Sequence, residues 1–233
     1  MTHNSFGTLH IVSTPIGNLK DITFRAVEIL SSVSMIAAED TRHSNKLLQH
    51  YDISTPSISF FEHNRSARIP QIMNYLKKGD HVAVISDAGT PGISDPAYKL
   101  IREAIAEEIT IESIPGPTAL IAAIVSSGLP TDRFIFEGFL PPKKGRKKRL
   151  MSLVNQDATI IFYESPYRLI KTLEEINEII GNRPAVIARE LTKMNEEIIR
   201  GTVSEILSYF TNKKPRGEFV IMIGKNDSNV FFK

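Results

Sequence analysis

The densest chemistry in this chain lies at residues 86–96, SDAGTPGISDP, directly after the apolar run Val82-Ala83-Val84-Ile85. Asp87 offers a fixed polar contact there, and Gly89 and Gly92 let the backbone approach a ligand closely. Two further segments of similar make-up follow strand-like runs: Ser13-Thr14-Pro15-Ile16-Gly17-Asn18 and Ile114-Pro115-Gly116-Pro117-Thr118-Ala119. The last of these launches a helix whose first N–H groups, unpaired and partly positive, suit an oxygen-rich ligand. No GxGxxG or GxxxxGK[ST] pattern occurs, and Pro15 stands where a phosphate-approaching glycine is required. A Rossmann dinucleotide site and a P-loop are therefore not expected. Taken singly, each bend is more economically read as an ordinary turn, and a turn-forming side chain is the alternative reading of Asp87. Three of them on one sheet edge read as a site for something small.

The elements that must position these loops alternate. Strands are expected at 9–13, 35–39, 57–60, 81–85 and 110–114. Helical patterns fall at 22–30, 42–50, 66–77, 97–107 and 119–126. Asp21 is the expected cap of the first helix, and Asp95 with Pro96 the start of the fourth. Such βαβ order predicts a mainly parallel sheet covered on both faces. A second alternation follows, with strands at 134–138, 159–163, 185–190, 197–200 and 219–223 and helices at 146–154 and 169–180. Its closely spaced strands predict a mixed sheet. The break between two α/β domains, 1–128 and 129–233, is expected at the breaker cluster Ser127-Gly128-Leu129-Pro130.

The chain has 233 residues, 42% hydrophobic and 23% charged, ordinary values for a globular protein. It has no cysteine, no apolar run near membrane-span length and no leader-like start, which together predict a cytoplasmic protein. No cluster of His, Asp and Glu at ligand spacing stands out, so no metal is expected. Net charge is +2, yet residues 143–149, KKGRKKR, hold six bases and no acid. Removing those six from the 28 basic residues leaves 22 against 26 acidic, a formal charge of −4. Lys143, Lys144, Arg146, Lys147, Lys148 and Arg149 thus read either as phosphate contacts on a nucleic acid or as a solvated helix start.

VSTPIGNL, AEDTRHS, SDAGTPGISDPAY, IPGPTA, FYESPYRL, ARELTK and GEFVIMI occur in this order. With them the chain resembles the tetrapyrrole methylase superfamily over nearly its whole length. The resemblance implies two α/β domains with S-adenosylmethionine in the cleft between them. Within that superfamily the motifs are similar to those of members that methylate the ribose 2′-oxygen of a cytidine in the decoding centre of 16S rRNA. It implies that Pro15, Ile16 and Gly17 lie under the cofactor, and that Asp87, Ala88, Gly89 and Thr90 hold its methionine part. Thr118 and Ala119 would meet it from across the cleft, and Tyr163, Ala188 and Leu191 would close over the adenine. The implied partners are 16S rRNA, within the 30S subunit, and a second copy of the chain.

Transfer of a methyl group to a ribose oxygen is an in-line displacement that a positioned base or cation assists. Two polar clusters, Glu39-Asp40-Thr41-Arg42-His43 and Glu62-His63-Asn64-Arg65, supply candidates. Asp40, Glu62 or His63 would take the proton, and Arg42 or Arg65 would hold a phosphate or the developing charge. Against this, Asp40 and Thr41 read equally as a helix cap, and His43 and His63 more readily as surface histidines. Tyr163, Tyr167 and Phe61 are candidate stacking partners for bases. Two other readings stay open: a methyltransferase acting on a tetrapyrrole carbon, and a non-catalytic RNA-binding protein of the same fold.

Overall fold

The computed structural model describes residues 6–211, 213–227 and 229–232, and the chain divides after Thr118 into two compact units. The helix that follows Gly116-Pro117 goes with the second unit, upstream of the breaker cluster at 127–130.

The first unit runs β1 (Thr8–Val12), α1 (Phe24–Ser32), β2 (Met35–Ala38), α2 (Thr41–His50), β3 (Ser57–Ser59), α3 (Arg65–Lys77), β4 (Val82–Ile85), α4 (Ala97–Ala106) and β5 (Thr110–Ile114). Its sheet has the order β3-β2-β4-β1-β5 and is parallel throughout. Alternate strand residues bury on opposite faces. Leu9, Ile11, Met35, Ala37, Val82 and Val84 pack with α3 and α4, through Ile72, Leu76, Leu100 and Ala104. Val12, Ile36, Ala38, Ala83 and Ile85 pack with α1 and α2, through Ala26, Leu30 and Leu48. Burial on both faces is why these strands read as unbroken apolar runs rather than alternating ones. The neighbours β1 and β4 send their outgoing connections to opposite faces, through α1 and α4. Their carboxyl ends therefore flank a topological switch point, where open α/β sheets bind ligands.

Local chemistry sets the helix starts. Thr23, not Asp21, caps α1: its Oγ1 accepts the N–H of Ala26 at 3.1 Å. Asp21 instead ends a single 3-10 turn that begins at Leu19, which moves the helix start two residues downstream of expectation. Pro96 occupies the cap position of α4 and has no donor or acceptor side chain; Asp95, one residue earlier, does the capping by accepting the N–H of Ala97 at 2.9 Å.

The second unit runs α5 (Ala119–Ser127), β6 (Phe134–Phe139), α6 (Arg146–Met151), β7 (Thr159–Glu164), α7 (Leu169–Ile179), β8 (Pro184–Arg189), β9 (Glu197–Thr202), α8 (Val203–Thr211) and β10 (Phe219–Ile223). Its order is β6-β7-β10-β8-β9, with β6 and β7 parallel and the other pairs antiparallel, the mixed sheet expected. The core joins Leu169, Leu173 and Ile176 of α7 to Val203, Ile206 and Phe210 of α8 over Ile160, Phe162, Ile187 and Ile221. Helix α8 is absent from the sequence expectation, although Val203, Ile206 and Phe210 share one helical face. Helix α6 ends at Met151, short of expectation, because 3-10-type bonds from Leu153 to Leu150 and from Gln156 to Leu153 take over. No helix among the described residues is long and apolar enough to cross a membrane.

Candidate cofactor site and its polar surroundings

In the first unit the three Pro/Gly bends leave one sheet edge and are joined to each other. Thr14 and Gly89 exchange backbone bonds, N–H to O at 2.9 Å one way and 3.0 Å the other. The Thr14 hydroxyl donates to the Ser86 carbonyl at 3.1 Å. Thr90 Oγ1 is the hub: it lies 2.9 Å from Ser13 Oγ and 2.6 Å from Thr118 Oγ1, and donates to the Pro117 carbonyl at 3.1 Å. Two glycines make this approach possible. A Cβ on Gly116 would sit 2.8 Å from the Cβ of Ser13. Gly89 has φ +83°, and a Cβ there would meet Ile16 at 3.3 Å and the Pro117 carbonyl at 3.5 Å. The structure thus brings Ile16, Gly89, Thr90 and Thr118 together. The sequence places Ser13 and Thr14 in the first bend but gives neither a role; both are buried, and hydroxyls at a strand end, inside an otherwise apolar segment, were the available signal.

The adjoining strand ends are tied by carboxylates. Asp87 Oδ1 accepts the N–H of Asp40 at 2.9 Å, and Glu39 Oε2 accepts the N–H of Asp87 at 3.2 Å. Asp95 closes the far side of the 86–96 loop by accepting the N–H of Gly92 through both oxygens, at 2.8 and 2.7 Å. Glu39, Ser86, Asp95, Pro96 and Phe60 line a small cavity beside these ends. Glu39 is half-buried, and that desolvation pushes its carboxyl above the usual range, with the like charges of Asp87 and Asp95 adding to the shift.

The expected acid–base candidates behave differently from one another. Asp40 is the N-cap of α2, accepting the Arg42 N–H at 2.9 Å and its guanidinium at 3.2 and 2.8 Å. Those bonds hold its carboxyl down to about 2. The cap reading therefore describes Asp40, and Arg42 is its partner. Glu62 pairs with Arg65, and His63 is exposed beside Phe61 with ring centroids 6.2 Å apart. Both follow the edge strand β3, which pairs with β2.

In the second unit Tyr163 is engaged within the fold. Its Oη accepts the N–H of Leu120 in the first turn of α5 at 2.9 Å, and its ring lies 4.9 Å from Phe136 and 5.7 Å from Phe139. Burial raises its phenol above the ordinary value. Ala188 is buried within the sheet, in register with Val220 on one side and Ile198 on the other. Leu191 lies beyond the strand between Glu190 and Thr192, which hold left-handed φ values of 50° and 65°. Gly217 makes room for that turn, since a Cβ there would fall 2.5 Å from Glu190 Cδ.

The basic run divides in two. Arg146, expected to touch RNA, is only 5% exposed: it pairs with Glu175, donates to Thr172 Oγ1 at 2.6 Å and lies 3.8 Å from Glu164. A guanidinium so enclosed is a part of the core, which corrects the expectation for that residue. Arg149 pairs with Glu137 through Nε and Nη2, one to each carboxylate oxygen. Lys143, Lys144, Lys147 and Lys148 are exposed, and among the described residues none of them makes an ion pair.

Comparison with known proteins accords with this arrangement. The sequence pattern of the family described as Tetrapyrrole (Corrin/Porphyrin) Methylases matches residues 8–207. A relative from Thermotoga maritima named ribosomal RNA small subunit methyltransferase I is 51% identical over 217 residues, covering 93% of this chain and 98% of its own. Relatives of the same name from Synechocystis sp. and Bacillus subtilis are 51% and 44% identical, covering 93% and 97% of this chain and 78% of theirs. Among solved structures, a diphthine synthase superposes with TM-score 0.74 at 12% identity, over 94% of this chain and 90% of that one. A uroporphyrin-III C-methyltransferase from Thermus thermophilus gives 0.67 at 16% identity, over 94% of each; at such identities these two likenesses show the fold. Identity near one half along almost the entire sequence leaves a single assignment: the chain belongs to the tetrapyrrole (corrin/porphyrin) methylase family, beside its ribosomal RNA small subunit methyltransferase I members.

Proposed function

We propose that the protein is an S-adenosylmethionine-dependent methyltransferase of small-subunit ribosomal RNA, and that its target is the ribose 2′-oxygen of a cytidine in 16S rRNA. The observation that carries the methyl-donor reading is the joining of the three strand-end bends through Thr14–Gly89 and Thr90. The residues fit such a donor. Main chain at Pro15, Ile16, Gly17, Ala88 and Gly89 offers close, uncharged approach, and the carboxylates of Asp87, Glu39 and Asp95 suit a ligand bearing an ammonium and a sulfonium. When bound, S-adenosylmethionine supplies an electrophilic methyl group on sulfur. The joined loops fix alignment, which is the largest contribution a protein makes to such a displacement.

A ribose hydroxyl must also lose its proton. We assign its acceptance to Glu39, whose raised pKa and position beside Asp87 suit general-base work. Asp40 is less suited, because its oxygens already serve Arg42 and the α2 cap. The relatives' names support RNA over a tetrapyrrole, and four exposed lysines with no ion pair among the described residues suit a phosphate backbone. The family resemblance further supports a cytoplasmic homodimer acting on the 30S particle; sedimentation of the purified protein and methylation assays on free rRNA against 30S subunits check those points. Calorimetric titration with S-adenosylmethionine tests the donor reading. Saturable binding that Gly89→Ala weakens supports it, and no binding leaves the non-catalytic RNA-binding reading standing.

A further inference from the structure

Glu164 closes β7 and is 2% exposed, with both carboxylate oxygens occupied. Oε1 accepts the N–H of Ser165 at 2.9 Å and lies 3.2 Å from Arg168 Nε; Oε2 accepts the Thr172 hydroxyl at 2.7 Å and lies 3.8 Å from Arg146. Both arginines continue to the segment that follows β6. Arg168 donates to the Leu140 carbonyl at 2.5 Å and Arg146 to that of Pro141 at 3.3 Å. One buried carboxylate thus locks the loop after β6 to the loop after β7. These strands are adjacent and parallel, so the two loops leave the same sheet edge.

What the lock displays is specific. On the β6 side stand Lys143, Lys144, Lys147 and Lys148, exposed and free of ion pairs among the described residues. On the β7 side stands Tyr167, next to Arg168 and 95% exposed. An acidic protein surface would satisfy the lysines and leave the bare ring without a partner. Single-stranded RNA satisfies both, with phosphates on the ammonium groups and a base on the ring. We infer that Tyr167 and these four lysines form a prearranged platform for single-stranded RNA, in which Tyr167 stacks on a base and the lysines follow the backbone. The inference rests on the proposed RNA substrate and names the surface that receives it.

The test is equilibrium binding of a labelled oligoribonucleotide, and of 30S subunits, across a series of salt concentrations. Changing all four lysines to Gln should weaken binding about tenfold or more and flatten the log–log salt slope by about 3, since each single-strand phosphate contact contributes roughly 0.7. Tyr167→Ala should weaken it about fivefold to a hundredfold with the slope unchanged, and Tyr167→Phe should retain affinity. S-adenosylmethionine affinity should be the same in all three variants, which shows that the fold is intact. RNA affinity that survives the four Lys→Gln changes or Tyr167→Ala overturns the inference, as does an acidic peptide that competes equally at these lysines. Failure of the underlying reading looks different: the unsubstituted protein would then bind no RNA at all.

Discussion

Glu39 and Asp87 tie two neighbouring strand ends, each side chain reaching across to the backbone beyond the other's strand. Glu39 Oε2 accepts the N–H of Asp87 at 3.2 Å, while Asp87 Oδ1 accepts the N–H of Asp40, the residue after Glu39, at 2.9 Å. The exchange fixes the end of β2 to the end of β4 and keeps two acids together at the edge where the joined loops emerge. Its electrostatic consequence falls on Glu39, the half-buried member, whose carboxyl is raised.

That shift predicts a pH profile. A base acts only when ionised, so the methylation rate should fall on the acid side at a pH above 4.5, the ordinary value for a glutamate. Glu39→Gln keeps an oxygen for the Asp87 N–H yet removes the base, and should lower kcat about 10²- to 10⁴-fold and abolish the acid limb. The sign for stability is opposite. A carboxyl raised in the folded state favours the protonated native form, and that preference is lost as pH rises through its folded value. At neutral pH Glu39→Gln should therefore raise the thermal midpoint while activity falls, as calorimetry and single-turnover assays can show.

Gly116 and Gly89 allow the loops to meet. Gly116→Ala drives a methyl group into Ser13, an overpacking cost of about 1–3 kcal/mol. Gly89→Ala imposes a left-handed residue, about 1–2 kcal/mol, at the bridge to Thr14. Both should weaken S-adenosylmethionine binding in titration and lower the urea midpoint, with RNA binding retained.

Thr90 should matter through its hydroxyl. Thr90→Val keeps the shape and deletes the link among Ser13, Thr118 and Pro117, at about 1–3 kcal/mol where partners are left unsatisfied. Thr90→Ser, which restores the oxygen, should recover most of the donor affinity.

Arg146 and Lys148, two residues apart, should separate stability from binding. Arg146→Gln leaves the enclosed Glu164 short of a partner and should cost about 3–5 kcal/mol in urea unfolding. Lys148→Gln should leave unfolding unchanged and weaken RNA binding.

Strand and helix types were largely legible because both faces of the first sheet are buried, so each strand stands out as an apolar run such as Val82-Ala83-Val84-Ile85. The three bends on one edge followed from the same reading, since parallel strands share a direction. What escaped depended on distance in space. Arg146 looks like its neighbours in KKGRKKR, and only the fold brings Glu164, Thr172 and Glu175 around it. Asp40 and Glu39 are likewise adjacent acids, yet one faces Arg42 in solvent and the other turns towards Asp87. Helix α8 fills much of the interval between Thr202 and Phe219, which the sequence reading left unassigned although Val203, Ile206 and Phe210 recur at helical spacing.

The central claim, that a methyl donor held by the joined loops serves small-subunit RNA, is tested most directly by incubating unmethylated 30S subunits with the purified protein and methyl-labelled S-adenosylmethionine. Mapping of the labelled nucleotide should place the methyl group on the ribose of one 16S cytidine, and Gly89→Ala should reduce that labelling. No label in the RNA of subunits or of free 16S transcripts, while the same protein labels a tetrapyrrole, would contradict the account.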